Sequence, residues 1–179
     1  MPIREAIRRL EAEGWVTTAL NRSAQVASFN EQNWRELMQM FAVLEGYTVA
    51  LAAEHLSEDD ILALRSCNDA LEAAIERNDF SAMTERKEAF HNLIYERCPN
   101  ARLREDLRRH QERLYFMRRP DLTAVLAESS SAVAEHKHLI ELLESGASFG
   151  EIELYAREHK VHAIDVYEKV GGSRFSLEK

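Results

Sequence analysis

Residues 2–16, PIREAIRRLEAEGWV, have the pattern of a short amphipathic helix. Pro2 stands in the first turn, where a helix tolerates proline because an N–H there would have no intrahelical partner. Ile3, Ile7 and Leu10 recur at i, i+4 and i+7, which predicts an apolar stripe about two turns long. Arginines lie on the other faces, and a glycine ends the pattern. A helix this short is marginal by itself in water, so we expect its stripe to pack against another element.

The rest of the chain reads as a hairpin followed by helices. Two short β-prone runs, residues 15–18 and 24–28, flank Asn21-Arg22-Ser23, which is predicted to be the hairpin tip. The spacing of apolar residues predicts helices over residues 31–55, 57–78, 80–97, 101–118, 131–144 and 150–170. Residues 121–131, which end in a run of serines, are predicted to form a loop or a short turn. The sequence therefore predicts an all-α fold, an antiparallel bundle of six to seven helices preceded by a small helix-and-hairpin unit.

Composition limits the class of protein. The 179 residues are 45% apolar, which suits one globular domain and a fragment of another. They contain no apolar run of about 18 residues, so we expect no membrane span, and the N-terminus has no signal pattern. Cys67 and Cys98 lack C-x-x-C spacing, which favours a reducing cytoplasm over a thiolate metal site. The net charge of the chain is −8, but residues 1–29 hold four arginines against three glutamates. The sequence therefore predicts a small basic segment followed by an acidic domain.

Histidines are the side chains best suited to chemistry in this chain. Most of them fall in the middle of predicted helices, next to apolar stripes: the seven are His55, His91, His110, His136, His138, His159 and His162. Helical bundles build metal sites from histidines on facing helices. The alternative is that each is an ordinary surface imidazole or a hydrogen-bonded one in the core.

A second pattern raises the possibility of an enzyme. Residues 88–91 and 135–138 are both Glu-x-x-His, the pair that occurs twice in di-iron carboxylate bundles. Such a site also needs one glutamate from each of two other helices, and Glu45 and Glu105 are the candidates. A metal-dependent enzyme of the di-iron type is therefore the alternative to a binding protein. No phosphate loop, serine elbow or cysteine nucleophile setting accompanies it.

The opening stretch also resembles a known signature. PIREAIRRLEAEGWV is similar to the pattern P-[VI]-R-E-A-[LI]-x-x-L-x-x-x-G-[LW]-[VI] of GntR-type transcription regulators. In that family this is the recognition helix of a winged helix-turn-helix, and the next hairpin is the wing. The resemblance implies that Arg4 and Arg8 on the helix and Arg22 on the wing contact operator DNA. Residues 1–29 are expected to be a partial DNA-binding domain, although Ser23 replaces the usual wing glycine.

Residues 30–179 resemble the FCD (FadR C-terminal) domain of the FadR subfamily. The matching positions are Leu44-Glu45-Gly46, Leu51-Ala52-Ala53, Phe90-His91, Asn100, Leu103, Glu135-His136, Ile140, Gly146, Ala156-Arg157 and His159. The resemblance implies an effector-binding and dimerisation domain. Family members carry two more helices before the recognition helix, so we expect the chain to be N-terminally truncated, with operator binding weakened or lost.

The resemblance also implies a ligand set. In FCD domains an Asp-x3-His pair and one histidine on each of two later helices bind a divalent metal, which often helps hold a metabolite's carboxylate. By position the ligands here are His91, His136 and His159, but Lys87 stands where the aspartate is expected. Either the three imidazoles, completed by water or by Glu88, still hold zinc or nickel, or Lys87 itself supplies the positive charge for the effector. Phe41 likewise replaces an arginine often found near the acid-binding site.

Together these features predict a cytoplasmic, homodimeric transcription regulator and not an enzyme. A small carboxylate effector would bind near Lys87, His91, His136 and His159. It would alter the spacing of two DNA-binding domains on operator half-sites. We expect no membrane partner.

Overall fold

A computed structural model of the protein describes residues 2–12, 15–18, 23–26, 31–117 and 122–175. A short helix and a two-stranded sheet come first, and six long helices follow. The elements are α1 (Pro2–Ala12), β1 (Val16–Thr17), β2 (Gln25–Val26), α2 (Glu31–Ala53), α3 (Glu58–Glu76), α4 (Phe80–Glu96), α5 (Ala101–Met117), α6 (Leu122–Ser145) and α7 (Phe149–Phe175). The predicted helical bundle is thus confirmed.

The first elements have the predicted helix-and-hairpin form. β1 and β2 pair antiparallel, with Val16 opposite Val26. Helix α1 has no buried residue, and Ile3 and Leu10 on its apolar stripe are 74% and 40% exposed. The stripe is therefore open to solvent in the part of the chain that the structure describes. Arg22, at the predicted hairpin tip, lies outside the described residues.

Helix α2 contacts three other helices of the bundle. It packs along α7 and also contacts α4 and α5, while α3 packs on α4 and α6, and α6 on α7. Gly46 allows the close approach of α2 and α7, because a Cβ there would lie 2.7 Å from the carbonyl oxygen of Glu153. The core formed in this way is aliphatic and aromatic, and Leu64, Phe90 and Ile94 are fully buried in it.

Specific residues begin or end the helices. A capping box begins α3: Ser57 accepts from the backbone N–H of Asp60, and the Asp60 carboxylate accepts from the N–H of Ser57. Asn100 begins α5 by accepting from the N–H of Leu103. Gly146, with φ of +67°, ends α6 in a conformation that a glycine adopts without strain.

Helices α6 and α7 are longer than predicted. Helix α6 begins at Leu122, so the prediction of a loop over residues 121–131 is wrong for the described residues of that segment. Val125, Ser129 and Ala132 lie on its buried face, and the hydroxyl of Ser130 donates to a backbone carbonyl of the same helix. Helix α7 continues to residue 175, beyond the predicted end at 170. None of the described helices is both long and apolar enough to cross a membrane.

Candidate functional site: a histidine cluster beside a cavity

Three of the histidines meet in the middle of the bundle. His91 lies on α4, His136 on α6 and His159 on α7, and all three are buried. One ring nitrogen from each lies within 4.8 Å of the others, and the Nε2 atoms of His91 and His159 are 3.4 Å apart. The three positions for which the resemblance predicted ligands are therefore brought together.

The Nδ1 atom of each ring faces a side-chain oxygen. Nδ1 of His136 is 3.1 Å from Oδ1 of Asn68, and Nδ1 of His159 donates to a carboxylate oxygen of Glu135. Nδ1 of His91 lies 3.1 Å from Oε1 of Glu45, although this contact is poorly aligned for a hydrogen bond. An oxygen at Nδ1 favours the tautomer with hydrogen there and leaves the Nε2 lone pair for a ligand.

The arrangement fits a divalent metal ion. Nε2 of His136 is buried and has no hydrogen-bond partner in the part of the chain that the structure describes. Its lone pair is therefore an unsatisfied acceptor in the interior of the bundle. The His136 ring is held in place by Phe90, which stacks on it with ring centroids 3.9 Å apart. Two nitrogens bound to one tetrahedral zinc at about 2.1 Å would lie roughly 3.4 Å apart. The separation of the Nε2 atoms of His91 and His159 has this value.

Burial favours the neutral form of His91 and His136, the form in which imidazoles bind metals. It lowers the pKa of His91 well below the usual value, and positive charge on Lys160 lowers it further. Burial, with the neighbouring His91, lowers the pKa of His136 in the same way. Burial raises the pKa of Glu45, against the opposing effect of Lys160. For Glu135, the hydrogen bonds from His159 and His162 outweigh partial burial, and its pKa is lowered.

A lysine that the sequence did not single out completes the cluster. Nζ of Lys160, on α7, is 2.9 Å from Nε2 of His91 and 3.4 Å from Oε2 of Glu45. The ammonium group donates to the imidazole and is balanced by the buried carboxylate. Its position beside His91 puts it in competition with a metal for the same lone pair.

Lys87 lies on the same face of α4 as His91, one turn earlier. Its side chain is only 9% exposed, and Nζ is 3.1 Å from Oε2 of Glu128 on α6. A protonated ammonium cannot be a metal ligand. The fourth ligand expected from the resemblance is therefore not supplied by this position, and the histidines leave a coordination position open.

A cavity of about 140 Å³ adjoins the histidines. His91 and His159 line it together with Lys87, Lys160 and Glu128, whereas most of its remaining wall is apolar. The apolar wall is formed by Trp34, Met38, Phe41, Leu114, Tyr115 and Tyr167. A cavity that combines two ammonium groups with an aromatic wall is suited to a small anion with an apolar body.

The described residues do not form the di-iron arrangement. Glu105 is paired with Arg108 and Arg109 on the surface of α5, where its carboxylate is 38% exposed. His138 is exposed on the opposite side of α6 from His136. Among the described residues, the three buried histidines are the group of potential metal ligands that converges. The alternative of a site with four carboxylates and two histidines is therefore wrong.

Sequence reasoning missed the residues that orient the histidines. Asn68 is a buried amide on the apolar stripe of α3, and a polar residue at such a position is the signal that could have identified it. The sequence placed Glu135 in a Glu-x-x-His pair and among the positions of the resemblance, but not as a partner of His159. In the structure it bridges His159 and His162, which stand three residues apart on one face of α7.

Comparison with known proteins agrees with this architecture. Residues 36–150 match the FCD domain family. The Nta operon transcriptional regulator of Aminobacter aminovorans is 31% identical over 119 residues, which cover 65% of this chain and 55% of that protein. The chain thus spans about half the length of this relative.

Solved structures show the same fold. E. coli McbR/YncC superposes with a TM-score of 0.67 at 22% identity, over 94% of this chain and 80% of that one. A GntR family regulator from Pseudomonas syringae pv. tomato gives a TM-score of 0.66 at 23% identity, over 98% of this chain and 72% of that one. At these identities the likeness concerns the fold alone.

Proposed function

Since this chain belongs to the FCD-domain transcription regulators of the GntR family, we propose that it regulates transcription in response to a small anionic metabolite. Residues 30–179 are the sensing and dimerisation domain, and residues 1–29 are part of a winged-helix DNA-binding domain. The observation that carries the proposal is the buried histidine cluster beside a cavity that contains two lysines. The family is one of regulators, not of enzymes.

In this proposal His91, His136 and His159 hold one divalent metal ion, zinc or nickel. The oriented Nδ1 atoms and the unpartnered Nε2 of His136 support that assignment. When bound, the ion supplies positive charge to which a carboxylate of the effector is attracted. The chain itself adds two ammonium groups, Lys87 and Lys160, that attract the same charge.

The effector acts through linkage. The cavity is walled by helices α2, α4, α5, α6 and α7, so a ligand inside it contacts most of the bundle. A ligand shifts an equilibrium only if it binds one arrangement of the homodimer more tightly than the other. The two arrangements would differ in the separation of the DNA-binding domains, and therefore in their fit to two operator half-sites.

The DNA contacts are assigned to three arginines. Arg4 and Arg8 are exposed on one side of α1 and one turn apart, which suits contact with phosphates or base edges. Arg22 is assigned the same role on the wing. We expect the operator to be a pair of half-sites, because a two-fold symmetric dimer presents two copies of this surface.

Fluorescence anisotropy with DNA from the flanks of the gene tests this function. Arg4→Gln and Arg8→Gln should each reduce the binding free energy by about 1–3 kcal/mol if they reach bases, and less if they contact only phosphates. The control is Arg65→Gln, which removes an exposed arginine that pairs with Glu144 on the bundle. Where the unmodified protein binds DNA measurably, equal affinity of all four proteins would contradict the assignment.

A further inference from the structure

One ion pair crosses the cavity wall at the position where the resemblance predicted a metal ligand. Lys87 on α4 is almost fully buried, whereas the Glu128 carboxylate that faces it from α6 is 26% exposed. Both residues line the cavity. The aromatic rings of Trp34 and Tyr167 form part of its apolar wall, and their ring centroids are 4.5 Å apart. A buried cation is thus neutralised by an anion that has access to solvent.

We infer that Lys87 and the apolar wall form a subsite for an aromatic monocarboxylate of benzoate size. Glu128 stays paired with Lys87 until the carboxylate of such a ligand displaces it. The inference deepens the proposed function, on which it rests, by naming the class of effector. It also assigns Glu128 the role of an internal competitor. Neither role requires a metal ion.

Charge balance favours an exchange of carboxylates. An ammonium as buried as Lys87 is costly to leave without a counter-ion. A ligand carboxylate that replaces Glu128 keeps the lysine paired throughout, and the displaced glutamate can turn toward water because it is already partly exposed. An uncharged ligand of the same shape cannot make this exchange, because it would strand the lysine.

The size and the lining of the cavity determine the body of the ligand. At about 140 Å³ the cavity is close to the engineered cavity of about 150 Å³ that accepts benzene. Trp34, Phe41 and Tyr167 present aromatic surface to it. A single ring bearing one carboxylate fills this space, whereas acetate would leave the apolar wall without a contact.

Isothermal titration calorimetry with benzoate, benzamide and acetate tests the inference. Benzoate should bind at least tenfold more tightly than its uncharged isostere benzamide and than acetate, in metal-stripped protein and in zinc-loaded protein. Lys87→Gln should weaken benzoate binding about tenfold or more, because a charge-assisted hydrogen bond is lost. Glu128→Gln should instead strengthen benzoate binding several-fold, because the competitor has lost its charge.

Matched variants control for charge alone. Arg86→Gln removes the neighbouring, half-exposed cation of α4, and Glu141→Gln removes an exposed anion of α6. Both should bind benzoate as the unmodified protein does. If Lys87→Gln fails to fold by circular dichroism, the comparison of benzoate with benzamide in the unmodified protein still decides, because it needs no substitution.

Three results would overturn the inference: no binding of benzoate, equal binding of benzamide, or no gain in Glu128→Gln. Failure of the proposed function is a separate result. Operator binding that responds to some other ligand, with no benzoate binding, would leave the regulator intact and refute the subsite. Benzoate binding that depends on Lys87 and Glu128, but leaves a measurable DNA affinity unchanged, would support the subsite and contradict the proposed response to an effector.

Discussion

Replacing Asn68 by alanine should weaken metal binding although Asn68 is not a ligand. Oδ1 of Asn68 accepts from Nδ1 of His136 at 3.1 Å, and its Nδ2 donates to the carbonyl oxygen of Val133 at 3.0 Å. The variant removes the acceptor that holds the His136 ring in the tautomer needed for ligation. Loss of such an outer partner typically lowers metal affinity about 10–100-fold.

The same change has a cost in stability. It leaves Nδ1 of His136 buried without an acceptor, which typically costs about 1–3 kcal/mol. For a chain of this size, roughly 2 kcal/mol corresponds to a fall of about 4–8 °C in the midpoint of thermal unfolding. The metal-free protein should show this fall, which separates the effect on folding from the effect on the metal.

Competition with a fluorescent zinc chelator gives the metal affinity, and differential scanning calorimetry gives the unfolding midpoint. The control is Asp69→Ala, an equal truncation at the exposed next position of α3, which should change neither quantity. Zinc affinity in Asn68→Ala equal to that of the unmodified protein would refute the reasoning, because the orientation of His136 would then not depend on this hydrogen bond.

Two further substitutions test the packing of the bundle. Gly46→Ala should lower the free energy of unfolding by about 1–3 kcal/mol in urea, because the new Cβ would lie 2.7 Å from a backbone oxygen of α7. Gly150→Ala, where nothing lies within 4 Å of the added atom, should be tolerated, and equal effects of the two would contradict the close approach. Hydrogen bonds from Arg97 hold the pKa of Asp60 well below its usual range. This pair therefore stabilises the fold above the unfolded-state pKa of about 3.9, and the contribution is lost as the pH falls toward the lower folded-state value. Urea unfolding at pH 7 and pH 3 should show a smaller acid-induced loss of stability in Asp60→Asn than in the unmodified protein. An equal loss in the two proteins would contradict this role of the Asp60–Arg97 pair.

The helices were predictable because their apolar residues repeat with helical spacing. The capping box at Ser57 was recognisable for the same kind of local reason, since its partner is only three residues away. The start of α6 was not recognisable from the sequence, because Ser129 to Ser131 have a local preference for loops and turns. The packing of α6 against α3 and α4 overrides that preference. Ser130 and Ser131 donate their hydroxyls to backbone carbonyls of the same helix, whereas the buried hydroxyl of Ser129 has no hydrogen-bond partner among the described residues.

The site was predictable only in part. Spacing identified histidines in the middle of helices, but their convergence depends on the rotation of three helices relative to one another, which a single sequence does not contain. The resemblance supplied His91, His136 and His159, and their convergence is observed. Lys160 and Asn68 were missed because each acts through a partner about 70 residues away.

The central claim, that the three histidines hold a metal ion in this chain despite the lysine at position 87, is tested most directly by the metal content of the purified protein. Mass spectrometry of the protein, dialysed against equal amounts of zinc, nickel and iron and then against buffer, gives that content. The account predicts one zinc or nickel ion per chain, retained in His138→Ala and lost in His136→Ala. Two irons per chain, or a metal content that is the same in both variants, would contradict it.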